Sequence, residues 1–214
     1  MKEMYEKQNN VFYYLTIGNE NYNQPEMPEG VEEGIVNGLY KFKENKSKTK
    51  LKGHIFASSG IINHALKAQD ILEKDFSISV DIWSATSYKK LRTDALNCER
   101  WNMLNPTKKV KKSYLENILS NEEGVFVAVS DYMKLVPDQI YKWVPGGLFT
   151  LGTDGFGRSS TRENLREFFE IDERFIVLGV FYQLLNHNKV SKEDVEKAIK
   201  KLKINTKKSF PILA

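Results

Sequence analysis

The stretch Gly152-Thr153-Asp154-Gly155-Phe156-Gly157-Arg158-Ser159 gathers the residue types most able to do chemistry in this chain. Glycines, hydroxyls, a carboxylate and a guanidinium follow one another within a single short segment. A phosphate cradle is the first chemistry to test. A dinucleotide fingerprint needs Gly-x-Gly-x-x-Gly, and Ser160 stands where a third glycine should follow Gly155 and Gly157. A P-loop needs a closing Gly-Lys-Ser/Thr, which the stretch lacks. The glycines therefore read as a tight turn that exploits positive φ. Asp154 and Arg158 have the spacing of a charged pair across that turn, of the kind that positions a loop.

Other reactive side chains show no constellation. His54, His64 and His187 have no His, Cys or carboxylate at a recognised metal spacing, and read as surface or structural imidazoles. Cys98 is the single cysteine and reads as a buried or half-buried structural thiol. Ser58-Ser59-Gly60 and Arg158-Ser159-Ser160 do not match Gly-x-Ser-x-Gly, so no nucleophile elbow is indicated.

The elements around the turn place it. Leu148 to Leu151 is a β-type run leading in, and Glu163 to Phe169 is a helical pattern leading out. Ser160 and Glu163 have capping-box spacing. The turn thus joins a strand to a helix, where α/β proteins commonly keep function. From Leu51 onward, strands and helices alternate. Strands are expected at Ile55-Phe56-Ala57, from Phe76 to Ile82 by period-two alternation, and at Val125 to Val129, whose continuous apolar run suits burial on both faces. Helices are expected from Ile61 to Leu72, from Tyr114 to Leu119, from Leu135 to Val144 with a break near Pro137, and from Phe175 to Leu185. Ser191 caps a final helix, with Val190 and Val195 spaced as a hydrophobic staple. This pattern predicts a mainly parallel sheet covered by helices on both faces.

The front of the chain differs. Residues 9–17 read as an aromatic, β-branched strand, Gly18 to Gly34 as an irregular connection, and Ile35 to Phe42 as a short strand. Lys43 to Lys50 reads as a loop or boundary. Such an extended arm does not suit a self-contained domain.

The 214 residues are 41% apolar and 28% charged, an ordinary globular balance. No stretch approaches the roughly 20 apolar residues of a membrane span, and Met1 to Lys7 lacks the apolar core of a signal peptide. A lone cysteine fits a cytoplasmic setting. The net charge is +4, and the lysine clusters at 41–52, 108–112 and 200–208 read as solvated surface rather than a nucleic-acid face.

The glycine turn, extended by Arg162-Glu163-Asn164-Leu165-Arg166, resembles the C-terminal domain of the homodimeric bacterial pyruvate dehydrogenase first component, the thiamine-dependent decarboxylating subunit. Three further blocks agree in order: Tyr13-Tyr14-Leu15-Thr16 with Asn19-Glu20-Asn21-Tyr22 and Met27-Pro28-Glu29-Gly30; Cys98-Glu99-Arg100-Trp101-Asn102-Met103-Leu104; and Ser130-Asp131-Tyr132-Met133-Lys134. The resemblance runs from about Met4 to Leu213-Ala214.

It implies a three-layer α/β/α sandwich around a five-stranded, mostly parallel mixed sheet. It assigns residues 1–45 to the last piece of the preceding pyrimidine-binding domain and linker, and 46–214 to the transketolase-type C-terminal domain. The intact enzyme it implies uses thiamine diphosphate and magnesium, works as a homodimer, and passes an acetyl unit to the lipoyl group of a dihydrolipoyl acetyltransferase component. The groups that hold the cofactor belong to the family's earlier domains, so no catalytic, cofactor or metal residue is expected here. Thr153-Asp154-Gly155 followed by Asn186 imitates the thiamine motif but lacks its first glycine. The expected role is structural, supporting the remaining domains and the dimer, without nucleic acid or membrane. A competing expectation is a free-standing module in which Thr153 to Ser159 holds a small anion or effector, with Asp154 orienting and Arg158 supplying charge.

Overall fold

The computed structural model describes residues 2–13, 21–47 and 49–214. Among these residues, five strands form one sheet: β1 (Leu39–Lys43), β2 (Lys52–Ala57), β3 (Ser79–Ala85), β4 (Val125–Val129) and β5 (Phe149–Leu151). Their order is β1-β3-β2-β4-β5. The last four run parallel, and β1 is antiparallel to β3. This is the mixed five-stranded sheet that the family resemblance implied, and its mainly parallel character is what the alternation of strands and helices predicted.

Alternation of side chains builds two cores. One face presents Ile55, Val80, Ile82, Val125 and Val127 to three helices, α3 (Ile62–Phe76), α8 (Glu173–Asn186) and α9 (Lys192–Lys201). The opposite face presents Phe56, Trp83, Phe126 and Ala128 to α4 (Tyr88–Leu104), α5 (Tyr114–Ile118) and the segment around α6 (Leu135–Asp138). All five residues of β4 are buried, as a strand between two layers must be.

Local signals fix the helix ends. Ser113 with Glu116 and Ser191 with Asp194 form reciprocal capping boxes. Asp172 accepts from the amides of Arg174 and Phe175 to start α8. Val190 and Val195 both pack on the core beside the Ser191 cap.

Several sequence expectations are corrected. The cap of α7 (Arg162–Phe168) is Thr161, not Ser160: Thr161 accepts from the amide of Asn164, while Ser160 accepts from the Asn164 side chain. Ile35 to Phe42 is not one strand. α2 (Glu32–Asn37) ends at Gly38, whose φ of +107° is left-handed, and β1 begins at once. β1 therefore belongs to the sheet, with Leu39 fully buried and paired to Ala85. Phe76 ends α3, and β3 starts three residues later. Residues 135–144 split into α6 and a 3-10 turn at Tyr141–Trp143. At the front, α1 (Lys2–Tyr5) precedes residues 9–13, which form no strand; Tyr14, Leu15, Thr16 and Ile17 lie outside the described residues.

A candidate functional site at the carboxyl edge of the sheet

The chain leaves β2 for β3 on one side and pairs β4 on the other, so the switch point lies between β2 and β4. Open α/β sheets place ligands outside the carboxyl ends of such strands. Here that edge is built by Ser58, Ser59 and Gly60 after β2, Ser130 and Asp131 after β4, and the glycine turn after β5. Ser58 donates a long hydrogen bond to buried Ser130, 3.5 Å. An open cavity of about 790 Å³ lies over this edge, lined by Asp131, Thr153, Arg158, Thr161 and Arg166 among others.

The glycine turn is held from within. The amide of Thr153 donates to Tyr132 O at 3.0 Å, and its hydroxyl donates to Asp131 O at 3.1 Å. Asp154 Oδ1 accepts from the amide of Lys134 at 3.1 Å. Gly152 packs so tightly that a Cβ would stand 2.5 Å from Tyr132 O. Gly155 has φ +109° and faces the backbone of Pro211. Arg158 donates to the main-chain oxygen of Ala214, and its guanidinium lies 5.1 Å from the Phe168 ring. Among the described residues, Asp154 and Arg158 make no ion pair with each other, contrary to their spacing. The turn's two charges are both spent on the chain's own backbone. Phe156, Gly157 and Ser159 project as an exposed tip.

Beside the turn lies a relay that sequence reasoning missed. Glu173 Oε2 is 2.6 Å from His64 Nδ1, and His64 Nε2 is 2.7 Å from Arg166 Nη1. Arginine can only donate, so Nε2 accepts and Nδ1 carries the proton given to Glu173. The other Arg166 nitrogen donates to the Tyr22 hydroxyl at 3.2 Å. The hydrogen bond from His64 outweighs burial and holds the Glu173 carboxyl down to about 2. His64 and Glu173 lie 109 positions apart, so no spacing could have joined them.

A second constellation sits at the opposite, amino edge of the sheet. Buried His54 on β2 faces Asp81 on β3, with Glu122 just ahead of β4. Trp83 Nε1 donates to His54 Nδ1, so Nε2 carries the proton given to Glu123 O. His54 is thus the neutral structural imidazole, not a surface one. Burial lowers its pKa, partly opposed by Glu122 and Asp81. These three groups resemble a metal-ligand set, but Lys41 Nζ already reaches Asp81 at 2.9 Å and Glu122 at 2.8 Å. Burial opposes the charge of Lys41, and the two carboxylates outweigh it and raise its pKa. The ammonium supplies the cation that the acids require. Cys98 is half-exposed and free, its pKa raised by burial and by Asp94 and Glu116.

Comparison with known proteins extends the geometry. Residues 38–172 match the family model described as the transketolase-like TK C-terminal domain. The chain is 42% identical over 212 residues to the pyruvate dehydrogenase E1 component of Pseudomonas aeruginosa, covering 99% of this chain and 24% of that protein. It is 42% identical over 216 residues to the component of the same name from Escherichia coli, covering 100% of this chain and 24% of that protein. The chain thus spans about a quarter of the length of these relatives. The fold is shared with transketolase from Pichia stipitis solved with sedoheptulose-7-phosphate, at a TM-score of 0.51 and 18% identity over 80% of this chain and 22% of that one. The family match begins one residue before β1, where the sheet itself begins. On that match, across more than half its length, the chain belongs to the transketolase-like C-terminal domain family.

Proposed function

We propose that this chain is the C-terminal domain of a thiamine-diphosphate-dependent pyruvate dehydrogenase first component, and that it supports the remaining domains and the homodimer without catalysing the reaction alone. The observation that carries this reading is 42% identity along essentially the whole chain to proteins named as that component. In the intact enzyme the cofactor supplies an electron sink for decarboxylation, and the acetyl unit goes to the lipoyl group of a dihydrolipoyl acetyltransferase component.

The residues present do not fit that cofactor. A diphosphate with magnesium needs free oxygen ligands and open amide donors. Asp154 is engaged by the Lys134 amide, and the acids beside His54 are engaged by Lys41. No chemical step is therefore routed through these side chains. Their work is to hold a rigid sheet edge against neighbouring domains. The front of the chain supports the same reading: Phe12 is 88% exposed beside exposed Val11 and Tyr13, an apolar surface that a preceding domain would cover.

Sedimentation of the chain mixed with a separately produced polypeptide carrying the remaining domains tests this role. A stable complex of the two is expected. Two independently sedimenting species would sink it.

A further inference from the structure

Part of the carboxyl edge, at Gly60, is covered by the chain itself. Tyr22, on the arm ahead of α2, lies flat against Gly60, where a Cβ would stand 2.8 Å from the ring carbon Cζ. Glycine is the residue that leaves room for this ring. The guanidinium groups of Arg162 and Arg166 lie 5.7 and 5.8 Å from the ring centre, the range of cation–π attraction. Arg166 also donates to the Tyr22 hydroxyl. Asn63 on α3 makes a further long contact to Asn23 O, 3.5 Å. One aromatic side chain is therefore gripped by a glycine floor, two arginines and a hydrogen bond, beside the crevice where this class of sheet commonly takes ligands.

Arg166 does not hold its place alone. Its hydrogen-bond partners among the described residues are the Tyr22 hydroxyl and His64 Nε2, so its direction depends on which His64 nitrogen carries the proton. Glu173, in the first turn of α8, takes the Nδ1 proton and leaves Nε2 free to accept. Lys67 adds to the positive field around Glu173.

We propose that the crevice beside Gly60 is a tyrosine socket that seats the chain's own arm through Tyr22, with Glu173 and His64 as positioning residues that aim Arg166 at the tyrosine hydroxyl. The socket fixes where the arm leaves the domain. This goes beyond the support role proposed above, and it stands or falls within this chain alone.

The test uses the whole chain. Chymotrypsin cleavage after Tyr22, whose ring the socket holds, reports release of the arm. In Gly60→Ala the new methyl evicts the ring, and in Arg166→Gln the charged donor is lost. Each should speed cleavage roughly tenfold, the scale of one hydrogen bond to a charged group. Tyr22→Phe keeps the ring and should give a smaller rise. Nitrogen NMR of His64 should show the Nδ1–H tautomer in the native chain and a mixture in Glu173→Gln, a change that a merely space-filling glutamate would not produce. Unaltered cleavage in folded Gly60→Ala and Arg166→Gln overturns the socket, as does an Nε2–H tautomer in the native chain. Failure to bind the remaining domains would leave these outcomes untouched, so the two proposals fail separately.

Discussion

Gly155 lies so close to Pro211 that a Cβ on it would stand 2.8 Å from the Pro211 carbonyl oxygen and 3.1 Å from Ile212 Cα. The glycine turn and the end of the chain are thus one packed unit. Gly157, two residues on, has open space around it and no left-handed φ. Gly155→Ala is expected to destabilise the fold by about 1–3 kcal/mol, from backbone strain and overpacking. Gly157→Ala should change stability by under about 1 kcal/mol, in the stabilising direction. Urea unfolding of the two variants checks this, and equal effects would remove the role given to Gly155.

Arg158 ties the last residue to the turn. The contact is exposed, so Arg158→Ala should cost less than about 1 kcal/mol of global stability. Its effect should be local. Carboxypeptidase should remove Ala214 and Leu213 faster from the variant than from the native chain.

Two ionisable groups give the stability a pH profile. The pKa of Glu173 is lower folded than unfolded, so its contribution is present above the ordinary value of 4.5 and fades as pH falls toward about 2. Glu173→Gln should flatten the stability curve in that window. Burial lowers the pKa of His54, so the unfolded chain binds a proton that the folded chain resists. Stability should fall as pH drops below the ordinary value of 6.5, by up to about 1.4 kcal/mol per pH unit for one proton. His54→Gln should lose that slope, as followed by thermal unfolding across pH.

The exposed arm should bring isolated chains together. Val11, Phe12 and Tyr13 form an apolar run open to solvent. Sedimentation velocity should show self-association that rises with concentration and weakens in Phe12→Asp. A monomer at every concentration tested would contradict it.

Much of the fold was legible because some patterns admit one answer. Val125 to Val129 is apolar at every position, which fits only a strand between two layers. Ser191 with Asp194 marks a helix start by itself. Elsewhere local signals merged. Ile35 and Val36 run into Leu39 to Phe42 as one β-rich stretch, and only the left-handed turn at Gly38 separates a helix from a strand. Ser160 and Thr161 can each cap a helix, and the choice falls to where α7 begins. α4 went unread because it buries only Tyr88, Leu91 and Ala95 along seventeen residues, too few for a stripe. The glycine turn was visible, but its partners were not. Proximity in sequence suggested Asp154 with Arg158, whereas tertiary folding gives Asp154 the Lys134 amide and Arg158 the chain end. The His54 and His64 networks join residues from distant elements and leave no spacing to find.

Pyruvate turnover, with thiamine diphosphate and magnesium supplied, tests the central claim most directly. The chain alone is expected to give none, and the same chain added to a polypeptide carrying the remaining domains is expected to support turnover. Decarboxylation by the isolated chain would contradict the account.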